Sequence, residues 1–251
     1  MPGKQDLPTL VTVTHNTWET YTSRLLATVI KFVPVASYAE WIIIDNKSSD
    51  GAKLANAVRS LPIEHALKMT LVHSSTNIGD LAQYNLVIPQ FVHTEKVICI
   101  STDVRIFKPT IFTLASLLDF YDMVGTPGIA IPKRAADPKI GGDWHWVPQL
   151  LIDRNLDFEN TAHVQTHCFA IRKSAFLDIG GFWEPEDGNF LDKGNAITSE
   201  VYMGTQIRRA GKKLALAQIP CYHYGNGMKT REEIDEFDRT RGWDSNFVRY
   251  L

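Results

Sequence analysis

Residues 97–109, VICISTDVRIFKP, are the stretch that decides the fold. The first four residues form an apolar run rich in β-branched side chains, with no polar alternation. Such a run is typical of a strand covered on both faces, as in the parallel sheet of an α/β protein. The run ends at a single carboxylate, Asp103, which we expect at the carboxyl edge of the sheet, where α/β proteins bind ligands. Asp103 alone could equally form the turn before Pro109, so the neighbouring segments must decide.

Three further apolar runs precede this stretch, at residues 10–14, 41–44 and 69–73. Helical patterns at about 17–32, 50–58 and 80–91 alternate with them, and Thr17 and either Ser49 or Asp50 are suitable N-caps. Strands that alternate with helices in this way predict a parallel, doubly wound sheet over the first hundred residues. Right-handed crossovers then place helices on both faces of the sheet.

The pattern changes after Pro109. We expect helices at about 110–120, 173–179 and 197–210, strands at 164–172 and 214–219, and a charged helical tail from residue 229. The stretch 126–146 is rich in Pro, Gly and Lys and has no periodicity. A long stretch of that kind inside a compact domain is usually a functional loop.

Composition excludes several classes of function. The chain has 251 residues, of which 44% are hydrophobic, and a net charge of −2, so there is no electrostatic case for general binding to nucleic acid or membranes. Three separated cysteines, Cys99, Cys168 and Cys221, predict reduced and mostly buried thiols. We find no signal-peptide pattern and no apolar run of membrane-spanning length, and we expect a cytoplasmic protein.

Short motifs in a fixed order resemble the GT-A nucleotide-sugar glycosyltransferases, in particular the family 2 type. The resemblance covers about residues 9–227. It rests on these pieces: LVTVTHN at 10–16, IIIDNKSSDGA at 42–52, Asn77 with Gly79 and Asn85, Ser101-Thr102-Asp103 in place of the Asp-x-Asp motif, FAIRKSAFLDIGGF at 169–182, and EVYMGTQIRRAG at 200–211.

The resemblance implies a single Rossmann-like α/β domain over residues 1–251, with a mostly parallel central sheet and helices on both faces. Residues 8–108 would form the nucleotide-sugar-binding half, residues 109–228 the acceptor and catalytic half, and residues 229–251 a helical tail. The implied activity is inverting transfer of a hexosyl or deoxyhexosyl group from a nucleoside diphosphate sugar to a hydroxyl of a glycan or glycoconjugate.

The residues implied to bind the donor lie in the first predicted strand, where backbone groups of residues 12–14 would pair with the base, and in the loops after the first four strands. They are Thr12, Thr14, His15, Asn16, Asp45, Asn46, Asn77, Gly79, Ser101, Thr102 and Asp103. Asp45 could accept a hydrogen bond from a pyrimidine N–H, although Asp45 and Asp50 could instead only build the turn. A hard cation, Mn²⁺ or Mg²⁺, held by Asp103 and His223 would neutralise the diphosphate. His223 could alternatively be a partly buried structural histidine.

Two departures from the family pattern concern the chemistry. Ser101 stands where the first motif Asp usually lies, and it offers a hydroxyl instead of a charged ligand, so strict metal dependence is open. Glu200 occupies the position of the catalytic base, which is usually Asp, and Gln206 replaces a frequent Arg. Glu200 would deprotonate the acceptor hydroxyl. The alternative is that it is only a charge in the first turn of a helix.

Acceptor contacts are expected outside the nucleotide half. The candidates are Trp144, His145, Trp146, His167 and Trp183. His163 and His167 could suggest a metal pair, but a third ligand is missing, so contact with substrate or a position on the surface is preferred. Two other functions remain: a non-catalytic nucleotide-sugar-binding domain, suggested by Ser101, and a sugar nucleotidyltransferase, which would need a Gly-rich phosphate loop that THNTWE at 14–19 lacks.

Overall fold

The computed structural model describes residues 7–106, 109–126, 128–130, 164, 166–182, 196–217, 221–223 and 232. The strands within these ranges are β1 (Thr9–Thr14), β2 (Glu40–Asp45), β3 (Met69–His73), β4 (Lys96–Ile100), β5 (Val104–Arg105), β6 (Met123–Gly125), β7 (Gly128–Ala130), β8 (Cys168–Arg172), β9 (Leu214–Leu216) and β10 (Cys221–His223).

The α-helices within the same ranges are α1 (Ser23–Phe32), α2 (Gly51–Arg59), α3 (Ile63–Ala66), α4 (Asp80–Phe91), α5 (Thr110–Leu117), α6 (Lys173–Asp178) and α7 (Ala196–Arg209). A short π-helix, Trp18–Thr22, leads into α1, and a 3₁₀ turn, Val35–Ser37, follows it.

Seven strands form one sheet in the order β3-β2-β1-β4-β8-β6-β9. The first four strands along the chain are parallel to one another, as the sequence predicts. β8 runs antiparallel to both of its neighbours, whereas β6 and β9 pair in parallel. The predicted α/β class with a mostly parallel sheet is therefore confirmed.

The hydrophobic core lies on both faces of the sheet, because the side chains of each central strand alternate between them. Leu10, Ile98 and Ile100 pack on one face, against α1 and α5. Val11 and Cys99 pack on the other, against α4, α6 and α7. Residues 97–100 are fully buried, which explains why this run has no polar alternation.

Several local predictions were wrong in detail. The chain from residue 17 begins as the π-helix, and neither Thr17 nor Asp50 makes a side-chain capping bond to its helix. Asp50 Oδ2 instead accepts the backbone N–H of Trp18 at 3.1 Å. The strand predicted at 164–172 begins only at Cys168, because Thr166 and His167 lie in a turn.

A second sheet, β5-β10-β7, was not predicted, because its strands are only two or three residues long. Cys99 and Cys168 are buried and free, as expected, and burial raises the pKa of the Cys99 thiol well above its usual value. Within the described ranges, no helix has the length and apolar character that a membrane span requires. The predicted tail at 229–251 lies outside the described residues, apart from Glu232.

Candidate functional site

The carboxyl ends of β1 to β4 meet at one edge of the sheet, since these strands are parallel. The loops at this edge carry nearly all of the predicted donor-binding residues. Thr14 and Asp45 are the last residues of β1 and β2. Thr12 is buried inside β1, where its hydroxyl accepts the indole N–H of Trp41 at 3.1 Å. The structure therefore brings the loop residues together and places the Thr12 side chain in the core.

The loops after β1 and β2 are tied together. His15 Nδ1 donates to the carbonyl of Asn46 at 2.8 Å, and His15 Nε2 accepts from the Asn16 amide at 3.1 Å. Asn16 Oδ1 in turn accepts the backbone N–H and the hydroxyl of Ser49 at 2.7 and 2.9 Å. Asn16 has a φ of 52°, a left-handed conformation that Asn tolerates better than most residues. These bonds fix His15 as the neutral Nδ1–H tautomer.

Asp45 is buried, and both of its carboxylate oxygens have partners within the protein. Oδ1 accepts the backbone N–H of Ser48 at 2.9 Å, and Oδ2 lies 3.0 Å from Nδ1 of His73. A Cβ atom added to Gly51 would lie 2.2 Å from Oδ2. The carboxylate therefore builds the turn, which was the alternative reading of Asp45. Its role in donor binding stays a prediction.

Asn46 connects three loops and a helix. Its amide donates to Asn77 Oδ1 at 2.7 Å, and its oxygen accepts the backbone N–H of Ile78 at 3.2 Å and the amide of Gln83 at 2.8 Å. Asn77 Oδ1 also accepts the N–H of Gly79, which has a φ of 87°. Sequence reasoning missed Gln83, although a polar residue in the otherwise apolar stretch 81–84 was a usable signal.

A cluster of threonine hydroxyls supports the loop after β4. The Oγ1 atoms of Thr14, Thr17 and Thr22 lie 2.7 to 3.0 Å from one another, and Thr17 Oγ1 lies 3.5 Å from Thr102. The π-helix makes this possible, because its wider turn brings residues five apart onto nearly the same face. Thr17 and Thr22 were not predicted as part of the site.

Asp103 is half-buried and lies just after β4. Its negative charge interacts with Asp80, the first residue of α4. The pKa of Asp80 is raised, mainly because the carboxyl is desolvated and in smaller part because the negative Asp103 lies nearby. The backbone N–H of Leu81, which donates to Asp80 Oδ1 at 2.9 Å, opposes this shift. The Asp80 and Asp103 carboxyl groups therefore lie close enough for their charges to interact, and the sequence indicated only Asp103.

The second sheet places β10, the last described strand, next to β5, which begins directly after Asp103. In the antiparallel pair of β5 and β10, His223 lies opposite Val104, the residue that follows Asp103. Paired residues in such a ladder have Cα atoms about 5 Å apart. The backbone of His223 therefore runs beside the backbone of Asp103. The described side chains contain no group of three or more His, Cys, Asp or Glu residues that could hold a metal ion.

Glu200 lies in α7, which begins at Ala196, so it is not a first-turn residue. Met203 and Ile207, which follow in the same helix, are buried in the core. The role of Glu200 as the catalytic base stays a prediction.

The predicted acceptor residues fall mostly outside the described part of the chain. Trp144, His145, Trp146 and Trp183 lie there, as does His163. His167 is described: it is buried, its Nε2 lies 3.3 Å from the hydroxyl of Thr126, and its carbonyl accepts the N–H of Ser101. His167 therefore joins the start of β8 to the Ser101 loop from inside the protein, and its contact with an acceptor stays a prediction.

Solved structures resemble the chain, and three of them are described next. GalNAc-T7 with UDP, GalNAc and Mn²⁺ has a TM-score of 0.63 and 17% identity, over 86% of this chain and 43% of that one. Staphylococcus aureus TarS 1–349 in complex with UDP-GlcNAc has a TM-score of 0.61 and 16% identity, over 93% and 64%. The mannosyltransferase PcManGT of Pyrobaculum calidifontis with GDP-Man and Mn²⁺ has a TM-score of 0.62 and 17% identity, over 92% and 60%.

At these identities the similarity shows the fold, and the chain has the GT-A architecture that its motifs indicated. The chain spans between 43% and 64% of the length of these three chains. Neither a protein-family model nor a curated protein sequence matches it.

Proposed function

We propose that this chain is an inverting glycosyltransferase. It moves a hexosyl or deoxyhexosyl group from a nucleoside diphosphate sugar to a hydroxyl of a glycan or glycoconjugate on the cytosolic side. The fold supports this assignment, and structures of that fold have been solved with UDP, UDP-GlcNAc and GDP-Man. The donor nucleotide would lie across the edge formed by the loops after β1 to β4.

The observation that carries the proposal is the pairing of β10 with β5. It brings the backbone of His223 beside that of Asp103, although the two residues are far apart in the sequence. A carboxylate oxygen and an imidazole nitrogen form a donor set that suits Mn²⁺ and, less well, Mg²⁺. Asp103 and His223 would hold such an ion, which would offset the charge of the leaving diphosphate.

In this proposal Glu200 acts on the acceptor. Its carboxylate would take the proton from the attacking hydroxyl while the hydroxyl oxygen forms a bond to the anomeric carbon. The bond from that carbon to the donor phosphate oxygen breaks on the opposite face, so the configuration inverts. Ser101 would contact the ribose with its hydroxyl. Trp144, His145, Trp146, His167 and Trp183 remain the proposed acceptor contacts.

Hydrolysis and transfer assays with a panel of nucleotide sugars test this proposal. We expect the intact chain to release nucleoside diphosphate from at least one donor in the presence of Mn²⁺. Asp103→Asn and Glu200→Gln should each lower the rate by about 10²-fold or more. Asp178→Asn and Glu64→Gln are matched controls on the exposed surface and should leave the rate unchanged. Full activity in both test variants would contradict the assignment.

A second candidate, a non-catalytic nucleotide-sugar-binding domain, is favoured by Ser101 in place of an acidic ligand. This candidate predicts that donors stabilise the protein against heat, as any ligand of the folded state does, without turnover. Donor binding with no release of product, for the intact chain and every variant alike, would support it over the enzyme.

A further inference from the structure

We propose that His73, held in place by Asp45, is the residue that reads the nucleobase of the donor. It would accept a hydrogen bond from a ring N–H, such as N3–H of uracil or N1–H of guanine. This inference rests on the proposed function, because it assumes that the edge binds a nucleotide. It also changes the expected role of Asp45 from a direct contact to a positioning residue.

The position of His73 follows from the sheet. It is the last residue of β3 and lies directly beside Asp45 in the parallel ladder of β2 and β3. Its Nδ1 lies 3.0 Å from Asp45 Oδ2, and the side chain of His73 is 54% exposed whereas that of Asp45 is 6% exposed. Asp45 is thus buried and the imidazole ring that contacts it is half exposed, so we infer that its other nitrogen, Nε2, is the atom available to a ligand.

The proton on His73 can be located from its partner. Asp45 Oδ1 already accepts the backbone N–H of Ser48, and a carboxylate has no hydrogen to donate to His73. The bond at Oδ2 therefore requires a hydrogen on Nδ1. In the neutral ring, Nε2 then carries the lone pair and is an acceptor.

The surroundings of His73 are those of a ligand site. The residue after Asp45 is Asn46, which bonds to His15 in the β1 loop and to Asn77 in the loop before α4. Both loops flank the carboxyl edge of the parallel strands, where open α/β sheets bind nucleotides. The Asp45–His73 pair therefore lies next to this hydrogen-bonded network.

The chemistry of the bases makes this a specificity device. Uracil, thymine and guanine carry a hydrogen on the ring nitrogen of the pairing edge, whereas cytosine and adenine carry a lone pair there. The lone pair on Nε2 accepts this hydrogen from uracil, thymine or guanine. With cytosine or adenine it faces another lone pair. Two facing lone pairs leave both polar groups without a hydrogen bond, which costs affinity.

A single substitution should reverse this preference. In Asp45→Asn the amide oxygen must take the place of Oδ1, because the Ser48 N–H is a fixed donor. The amide NH₂ then faces His73 Nδ1, which must become the acceptor. The hydrogen moves to Nε2, and His73 becomes a donor that suits the lone pair of cytosine.

Calorimetric titration of the intact chain with UDP and CDP in the presence of Mn²⁺ tests the proposal. We expect UDP to bind about 3- to 10-fold more tightly than CDP, the effect of one hydrogen bond. His73→Phe keeps a flat aromatic ring but has no ring nitrogen, so it should remove the preference for UDP. Asp45→Asn should reverse that preference. His93→Phe, another exposed histidine, lies in the loop before β4 and should keep the wild-type preference.

The outcomes separate the inference from the function it rests on. An unchanged UDP preference in His73→Phe overturns the inference and leaves the proposed glycosyltransferase standing. Failure of the intact chain to bind UDP, CDP and GDP overturns both. If Asp45→Asn does not fold, His73→Phe still decides, because its site is half exposed.

Discussion

The side-chain amide of Asn46 donates a hydrogen bond of 2.7 Å to the side-chain oxygen of Asn77, and this bond joins the loop after β2 to the loop before α4. The oxygen of the same amide accepts from Gln83 and from the backbone of Ile78. The buried side-chain amide of Asn46 therefore supplies hydrogen-bond partners to several groups that would otherwise lack them.

Asn46→Ala should consequently be costly. The change leaves the buried Gln83 amide and the Ile78 N–H without acceptors, and each unsatisfied group costs about 1–3 kcal/mol. We expect a loss of roughly 2–4 kcal/mol in the free energy of unfolding, measured with urea. Asn56→Ala, on the exposed face of α2, should change it by less than about 0.5 kcal/mol. Equal effects of the two changes would contradict the network.

The hydroxyl cluster of Thr14, Thr17 and Thr22 predicts that the effects of two substitutions within it on stability are not additive. Thr14→Val or Thr22→Val alone leaves the other of these two hydroxyls with Thr17 as its remaining partner in the cluster, whereas the double variant removes both ends of their 2.8 Å contact. The double variant should therefore lose less stability than the sum of the single variants, by about 0.5–3 kcal/mol. Thermal unfolding of the four proteins measures this difference, and strict additivity would show that the hydroxyls do not interact.

Gly51→Ala tests the close approach of α2 to Asp45. Helix propensity alone predicts that Ala is better than Gly by about 1 kcal/mol. The new Cβ would lie 2.2 Å from Asp45 Oδ2, however, and overpacking of this kind costs about 1–3 kcal/mol. We expect net destabilisation in urea. Ala52→Gly, on the exposed side of the same helix, gives the pure propensity effect, and a stabilised Gly51→Ala protein would contradict the geometry.

Tyr38 predicts a stability change at alkaline pH. The residue is fully buried, and desolvation raises its pKa to about 12, above the usual value of 10.0. The folded state therefore holds the phenolic proton more tightly than the unfolded state does. The stabilisation of the folded state that results from this pKa difference is fully present below pH 10 and is lost as the pH rises towards 12.

Tyr38→Phe removes this titration, so the stability of the wild type should fall towards that of the variant between pH 10 and 12. Urea unfolding at several pH values measures the difference, which also contains the constant loss of the 3.3 Å contact between the Tyr38 hydroxyl and His65. Parallel pH profiles of the two proteins would show that Tyr38 ionises as easily in the folded state as in the unfolded state.

Much of the fold could be predicted from the sequence, because its central strands are unbroken apolar runs such as residues 97–100. β8 was predicted as a strand, but nothing in CFAIR indicates that it runs antiparallel to β4. The second sheet escaped prediction because β5 and β10 are too short to show a pattern, and their pairing depends on residues more than a hundred positions apart.

The loops of the site were predictable as a set, but the contacts within them were not. Turn-forming residues at the ends of β1, β2 and β4 indicated which segments meet. The contacts of His73 with Asp45 and of Gln83 with Asn46 depend on the three-dimensional fold, and neither His73 nor Gln83 belongs to a motif in its own segment. Asp80 was expected only to open α4, and its proximity to Asp103 depends on how α4 packs on the sheet.

Ser101→Asp should strengthen metal binding at the proposed site. Ser101 follows β4 and is half-buried, with its backbone N–H fixed to the carbonyl of His167 at 2.8 Å. Ser101 lies two residues before Asp103, so a carboxylate there would add a charged oxygen ligand near Asp103. Because affinity for a hard cation rises with the number of charged ligands, we expect Mn²⁺ to bind roughly tenfold or more tightly.

Mn²⁺ electron paramagnetic resonance measures this affinity directly and does not depend on turnover. Ser101→Asn, which is similar in size but uncharged, should show no such gain, and an equal gain in both variants would place the Mn²⁺ site elsewhere.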